Sequence, residues 1–239
     1  MVEGVPSKCA ELLAQGEVDA ALVPVIEYQR AKDVSLIPNV CVGSKNEVRS
    51  VVLVSKDAEL ETIRSIALDQ SSRTSAALLK ILFREFLETE PKWATYSPQL
   101  SEMLNENDAA LIIGDPGMTF PREGLRVWDM ASLWRKYTDL GFVFAMWMIR
   151  SAEPEVAQKA DFAAARDEGI ANKDAIVAQY RSQLSLDDSE LESYLTDNIT
   201  FTPDESMLAG LKLYFELAYK HKLIPELKPL NFIAASSSS

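Results

Sequence analysis

Twice along this chain an acidic residue is followed by two alanines, a short aliphatic run and a proline. The stretches are Asp19-Ala20-Ala21-Leu22-Val23-Pro24 and Asp108-Ala109-Ala110-Leu111-Ile112-Ile113-Gly114-Asp115-Pro116. Apolar runs this short read as buried strands, and proline cannot continue a strand ladder, so each strand must end in a loop. A helix-forming run precedes each strand: Pro6 to Gln15, stopped by Gly16, and Leu100 to Asn105. In open α/β sheets the loops after the strands are where ligands bind. One helix-strand-loop unit used twice therefore predicts two lobes that face each other across a cleft.

Between the two copies, Ser65-Ile66-Ala67-Leu68 reads as a strand and Ala76 to Phe86 as an amphipathic helix, joined by Asp69-Gln70-Ser71-Ser72-Arg73-Thr74-Ser75. Hydroxyls and unpaired N–H groups crowd the helix start, where the positive end of the helix dipole sits. Such a start holds an anion; its simpler role is a Ser72 or Thr74 cap, worth about 1 kcal/mol.

The remaining chain supplies the frame. Ile37–Val42 and Ser50–Ser55 are β-rich runs joined by a short loop, with Arg49 and Ser50 where the chain crosses between lobes. Leu125–Met130 and Phe142–Ile149 are further strands, and Ala131–Tyr137 is a short helix. From Pro154 the period turns helical over 155–168, 173–183, 187–195 and 204–222, with cap formers at Asn172, Ser185 and Thr202. Residues 234–239 form a polar tail expected to be disordered. The domains follow as 1–50 plus 148–233 for the first lobe and 51–147 for the second, with hinges near Ser50 and Trp147.

Composition narrows the chemistry. A net charge of −12 with no basic cluster excludes nucleic-acid and anionic-membrane surfaces. One histidine, His221, and two distant cysteines, Cys9 and Cys41, are too few for a zinc or haem site or a histidine-based triad. No metal or cofactor is implied. His221 is expected to complement a helix C-terminus, and the cysteines to be small packing residues. The N-terminus has no basic flank or apolar core of a signal segment, and no run is long enough to span a membrane, so a cytoplasmic protein is expected. Oligomeric state stays open.

Six segments, in order, resemble one family. They are Gly16–Leu22 with Ile26-Glu27-Tyr28, Glu47–Leu53, Ser72–Leu82, Ala109–Asp115, Phe142–Trp147, and the closing helix from Gly210 to Tyr219 with Leu223-Ile224. The chain resembles the menaquinone-biosynthesis enzymes of the futalosine route, specifically the chorismate dehydratases. The resemblance implies the two-lobed periplasmic-binding-protein-like type 2 α/β fold, each lobe a sheet flanked by helices. It also implies a preceding strand and asparagine-bearing loop lining the cleft. This chain opens within what resembles the family's second strand, so its first lobe is expected to lack that βα unit.

The family reaction removes water from chorismate to give 3-[(1-carboxyvinyl)oxy]benzoate. Chorismate carries two carboxylates, so anion clamps are expected, and aromatisation supplies much of the driving force. The enzyme has to orient the substrate, donate to the leaving hydroxyl and position a base. Asp115, at the end of the second copy, is a candidate catalytic acceptor or a helix cap; Glu27, after the first, is a candidate base or a buried structural acceptor. Ser72, Thr74, Ser75 and Gly114 are expected to bind substrate with Ser50, and Arg49 to pair with a substrate carboxylate or lie on the surface. The alternatives are a non-catalytic solute-binding or sensor protein on the same fold and the sister 1,4-dihydroxy-6-naphthoate synthase.

Overall fold

The structure, a computed structural model, describes residues 2–151 and 160–233. The polar tail at 234–239 and the opening of the helical run at 155–168 lie outside the described residues.

Helix α1 (Pro6–Gln15) starts on its proline and ends at Gly16, whose left-handed conformation (φ 74°) returns its N–H to the last turn. It leads into β1 (Ala20–Pro24), then α2 (Ile26–Arg30) and the long β2 (Val34–Ser44). The chain then changes sheet. The two β-rich runs joined by a short loop do not pair with each other, because residues 45–50 carry the backbone across to β3 (Val51–Ser55).

In the second lobe β4 (Ser65–Asp69), β5 (Lys92–Tyr96), β6 (Ala109–Ile113) and β7 (Arg126–Asp129) join β3 in the order β5-β4-β6-β3-β7. Strand β4 runs parallel to β5 and β6, while β3 runs antiparallel to β6 and β7. Helices α3 (Thr74–Ile81, continued by a π turn over Leu82–Phe86), α4 (Leu100–Glu106), α5 (Asp115–Thr119) and α6 (Met130–Thr138) complete this lobe. The two copies of the repeated pattern become α1-β1-α2 and α4-β6-α5, the same helix-strand-short-helix unit.

Strand β8 (Phe142–Arg150) returns to the first lobe and pairs antiparallel with both β1 and β2, giving the order β1-β8-β2. All of β8 lies in this sheet, so the return crossing falls between Thr138 and Phe142 rather than near Trp147. Helices α7 (Phe162–Ala171), α8 (Lys173–Tyr180), α9 (Asp188–Ser193, with a π turn over Tyr194–Asn198) and α10 (Glu205–Lys220) follow. Their starts depart from the expected caps. Asp161, Asp187 and Asp204 accept the capping N–H groups, so Ser185 and Thr202 sit two residues too early. Asn172 flanks α8 but makes no side-chain cap; its amide bonds back to the Glu168 carbonyl.

The lobes share packing where α10 meets α6 and β8. Trp134 and Phe142 lie edge to face at 5.5 Å, and Phe142 and Tyr214 at 5.1 Å, all three fully buried. Gly210 has to be glycine for this contact: a Cβ there would lie 2.1 Å from the Gly141 carbonyl oxygen. The buried Tyr214 hydroxyl then donates to the Thr74 carbonyl at 3.0 Å, tying α10 to the start of α3. Among the described residues no helix is long and apolar enough to cross a membrane.

Candidate active site

A cavity of about 1060 Å³ lies where the ends of β1, β4 and β6 converge. The second lobe contributes Ser72 to Ser75 and Gly114 to Pro116; the first lobe contributes α1, Leu22, Pro24 and Trp147. Both repeated units therefore deliver their closing loops to one space.

The start of α3 is the most polar part of its wall. Neither Ser72 nor Thr74 caps this helix: Arg73 occupies the capping position and makes no side-chain cap bond. The N–H groups of Thr74, Ser75 and Ala76, in the first turn, are left without helical acceptors. The Thr74 hydroxyl oxygen accepts from Ile26 N at 3.4 Å, which uses a lone pair and leaves its own hydrogen to donate. Ser71 turns away onto Asp69, to which its N–H and hydroxyl donate at 2.8 and 2.7 Å. Ser72 is 8% exposed, and its hydroxyl oxygen is buried without any hydrogen-bond partner among the described residues. A buried hydroxyl left unmatched costs about 1–3 kcal/mol, a cost that an acceptor beside it in the cavity would remove.

Across the cavity, Gly114 adopts φ 69°, ψ −147°, backbone open essentially to glycine alone, and turns the chain from β6 into α5. Its N–H donates to the Ser50 carbonyl at 2.8 Å, extending the β3–β6 ladder by one rung. Asp115 follows as the first residue of α5 rather than its cap, exposed and lining the cavity, with no side-chain hydrogen bond among the described residues. Ser50 itself is 5% exposed, directly behind this wall.

Two expected site residues are engaged elsewhere. Glu27 gives one carboxylate oxygen to Arg30 at 2.8 Å and the other to Arg73 at 3.1 Å, and Arg73 also reaches Glu11 at 3.0 Å. With both oxygens committed, Glu27 is a tie between lobes rather than a base. Arg49 pairs with Glu190 at 2.5 Å, not with the cavity.

The crossing itself rests on Asp129, which sequence reading did not single out. Its carboxylate accepts from Val48 N at 3.1 Å, Arg49 N at 2.6 Å and Ser132 N at 2.9 Å. Burial pushes this acid above the usual carboxylate range, and the three N–H donors oppose that shift. Tyr194 was missed too; its hydroxyl donates to Ser50 Oγ at 2.9 Å. The signal available was the Asp187-Asp188-Ser189-Glu190 cap box, which sets the phase of α9.

A second cavity of about 980 Å³ adjoins the first through Leu22, Val42, Trp147 and Phe162. Of its charged lining residues, Lys45 pairs with Asp204 at 3.0 Å and Arg166 with Asp167, outside the lining, at 2.7 Å, while Lys173 and Asp197 also face it. The uncapped start of α3 and Asp115 line the first. Among the described residues no cluster of three or more His, Cys, Asp or Glu side chains could hold a metal ion. His221 ends α10 as expected, and its Nε2 also contacts Glu85 at 2.8 Å. Cys41 is buried against β8, its thiol pushed up to about 12 by that burial.

Comparison with known proteins agrees with this architecture. A protein from Archaeoglobus fulgidus has a similar structure, with a TM-score of 0.67, 20% identity and coverage of 94% of this chain and 86% of that one. A Candida albicans protein described as having the generic periplasmic binding protein fold gives a TM-score of 0.61 at 12% identity, over 99% of this chain and 87% of that one. In sequence, a chorismate dehydratase of Thermus thermophilus is 31% identical over 235 residues, spanning 90% of this chain and 85% of the relative. Residues 1–220 match the family model for menaquinone biosynthesis, and the chain belongs to that family.

Proposed function

We propose that this chain is a hydro-lyase that dehydrates chorismate to the enolpyruvyl ether of hydroxybenzoate, in the futalosine route to menaquinone. The observation that carries the reading is the uncapped start of α3, where the buried Ser72 hydroxyl, without a partner among the described residues, adjoins the first-turn residues Thr74 and Ser75 at the cavity wall. That cluster suits a carboxylate, which accepts several hydrogen bonds at once and is favoured by the helix dipole. Ser75 adds a hydroxyl beside it, and Thr74 keeps its hydroxyl hydrogen as well as its N–H.

With one carboxylate held there, the reacting ring faces Gly114 and Asp115. The allylic C–O bond breaks and its electron pair leaves with the hydroxyl. The neighbouring ring C–H bond supplies the pair that completes the aromatic ring, and its proton ends in the water released. Asp115 is the acceptor for that proton, an exposed carboxylate with no competing hydrogen bond. Ser50 donates to the departing oxygen. Glu27 and Arg49 stay in their ion pairs and act only through the frame. The unpaired thiols of Cys9 and Cys41 fit work in the reducing cytoplasm.

The test is incubation of the purified protein with chorismate, following loss of the diene absorbance and appearance of the aromatic ether. Product is expected, together with at least a hundredfold loss of kcat in Asp115→Asn. Binding without product would reassign the chain to a solute-binding or sensor role on the same fold, and neither binding nor product would remove the chorismate reading altogether.

A further inference from the structure

We propose that Tyr194 is a positioning residue that fixes Ser50 as a hydrogen-bond donor to the ligand in the cleft. This role deepens the dehydratase reading and rests on it.

Glu190 and Tyr194 are four residues apart, on one face of α9 and its π turn, and they meet the adjacent residues Arg49 and Ser50. Helix α9 cannot slide along this contact. Asp187 caps it, and Glu190 returns a carboxylate oxygen to Asp187 N at 3.1 Å while its other oxygen holds Arg49. Beyond Tyr194 the helix widens, with Ile199 N donating to the Tyr194 carbonyl at 3.0 Å. Such π turns recur at functional sites. One turn further on, Asn198 donates to the Glu47 carbonyl at 3.2 Å, completing a row of contacts along the crossing.

A serine hydroxyl has one hydrogen and two lone pairs. Tyr194 donates to Ser50 Oγ at 2.9 Å and so uses a lone pair. Among the described residues nothing accepts the serine's own hydrogen. The backbone of Ser50 is equally fixed: Gly114 N–H holds its carbonyl, and Gly117 approaches so closely that a Cβ there would lie 2.8 Å from that oxygen. Its neighbours Val51 and Gly114 both line the cavity. Ser50 is thus a rigidly held hydroxyl with an unspent hydrogen directly behind the cavity wall formed by Val51 and Gly114, and in the proposed role this hydrogen serves the ligand. Burial first, and the nearby charge of Asp115 as well, push the Tyr194 phenol up, while its bond to Ser50 opposes the shift. The phenol therefore stays protonated and keeps donating at neutral pH.

The experiment compares chorismate turnover by wild type, Tyr194→Phe, Ser50→Ala and the double variant. Tyr194→Phe is expected to lower kcat by roughly 10- to 100-fold with KM nearly unchanged, and the double variant to be no slower than Ser50→Ala alone. Glu190→Gln, which weakens the cap of α9 and its tie to Arg49 but leaves the tyrosine hydroxyl in place, is expected to lower kcat by clearly less than Tyr194→Phe does. Should Tyr194→Phe fail to fold, biosynthetic replacement of tyrosine by 3-fluorotyrosine keeps the shape and makes the phenol more acidic. The alkaline limb of the kcat profile is then expected to move to lower pH. Undiminished kcat in folded Tyr194→Phe, multiplicative losses in the double variant, an equal loss in Glu190→Gln or an unmoved alkaline limb would each overturn this role alone. Absence of product from wild type would instead bring down the dehydratase reading and this role with it.

Discussion

The two sheets are built to different specifications. In the second lobe, β3 is buried at all five positions and β6 at four of five, so the sheet is covered on both faces. In the first lobe, burial alternates: Phe144, Met146 and Met148 face inward, while Ala145 and Trp147 are half-buried beside Leu22 and Val42. That second face fronts the cavities. One lobe is a solid block that presents its chemistry from strand ends and helix starts; the other gives a whole apolar sheet face to the ligand space. A substrate with a ring and two carboxylates needs both, polar donors at its ends and a flat apolar wall beside its ring.

Substitutions in the two sheets test this difference most strongly. Leu53→Ala, at a fully buried position of β3, is expected to cost about 2–5 kcal/mol in urea unfolding. Leu22→Ala, on the half-buried face of β1, should cost less than about 1.5 kcal/mol. Equal losses would break the contrast.

The join between lobes comes next. Glu27→Gln removes both arginine ties and is expected to lower stability by about 1–2 kcal/mol while leaving kcat within about threefold. A collapse of kcat at unchanged stability would make Glu27 a base after all. Ser72→Ala sharpens the view of α3 as a ligand cradle. Removing an unmatched buried hydroxyl should raise stability by up to about 1 kcal/mol, and chorismate binding, read by calorimetry, should weaken by roughly tenfold. Unchanged binding would separate the α3 start from the ligand.

The smallest effect is expected where α10 meets the π turn after α3. Glu85 is held below the usual carboxylate range, chiefly by its hydrogen bond to Lys220 and also by His221. A depressed folded value contributes stability that is complete above the unfolded carboxylate pKa and is lost as pH falls through the folded one. Glu85→Gln should therefore lower the thermal midpoint at neutral pH, by an amount worth at most about 1 kcal/mol, and converge with wild type in acid. A constant offset across that range would show that the pair contributes by packing alone.

Much of the frame was legible because it is written locally. The Asp-Ala-Ala-aliphatic-Pro pattern became β1 and β6 with matching helices on either side, and the Ser/Thr-rich turn became the start of α3 at the cavity. What escaped was set by partners distant in sequence. Glu27 loses its candidacy as a base through Arg73, 46 residues away. Tyr194 gains its role through Ser50, 144 residues away. The Thr74 oxygen is held by Ile26 N, on the other lobe and 48 residues away, a partner no local pattern announces. The misplaced caps have a different origin. Ser185 and Asp187, like Thr202 and Asp204, are competing cap formers two residues apart, and in each pair the aspartate reaches the first-turn N–H.

The turn at Gly114 has a practical consequence for anyone sorting homologous genes. Its dihedral angles shut out every side chain even though nothing crowds the position. A copy that keeps aspartate and proline there but replaces the residue before them would aim its carboxylate elsewhere.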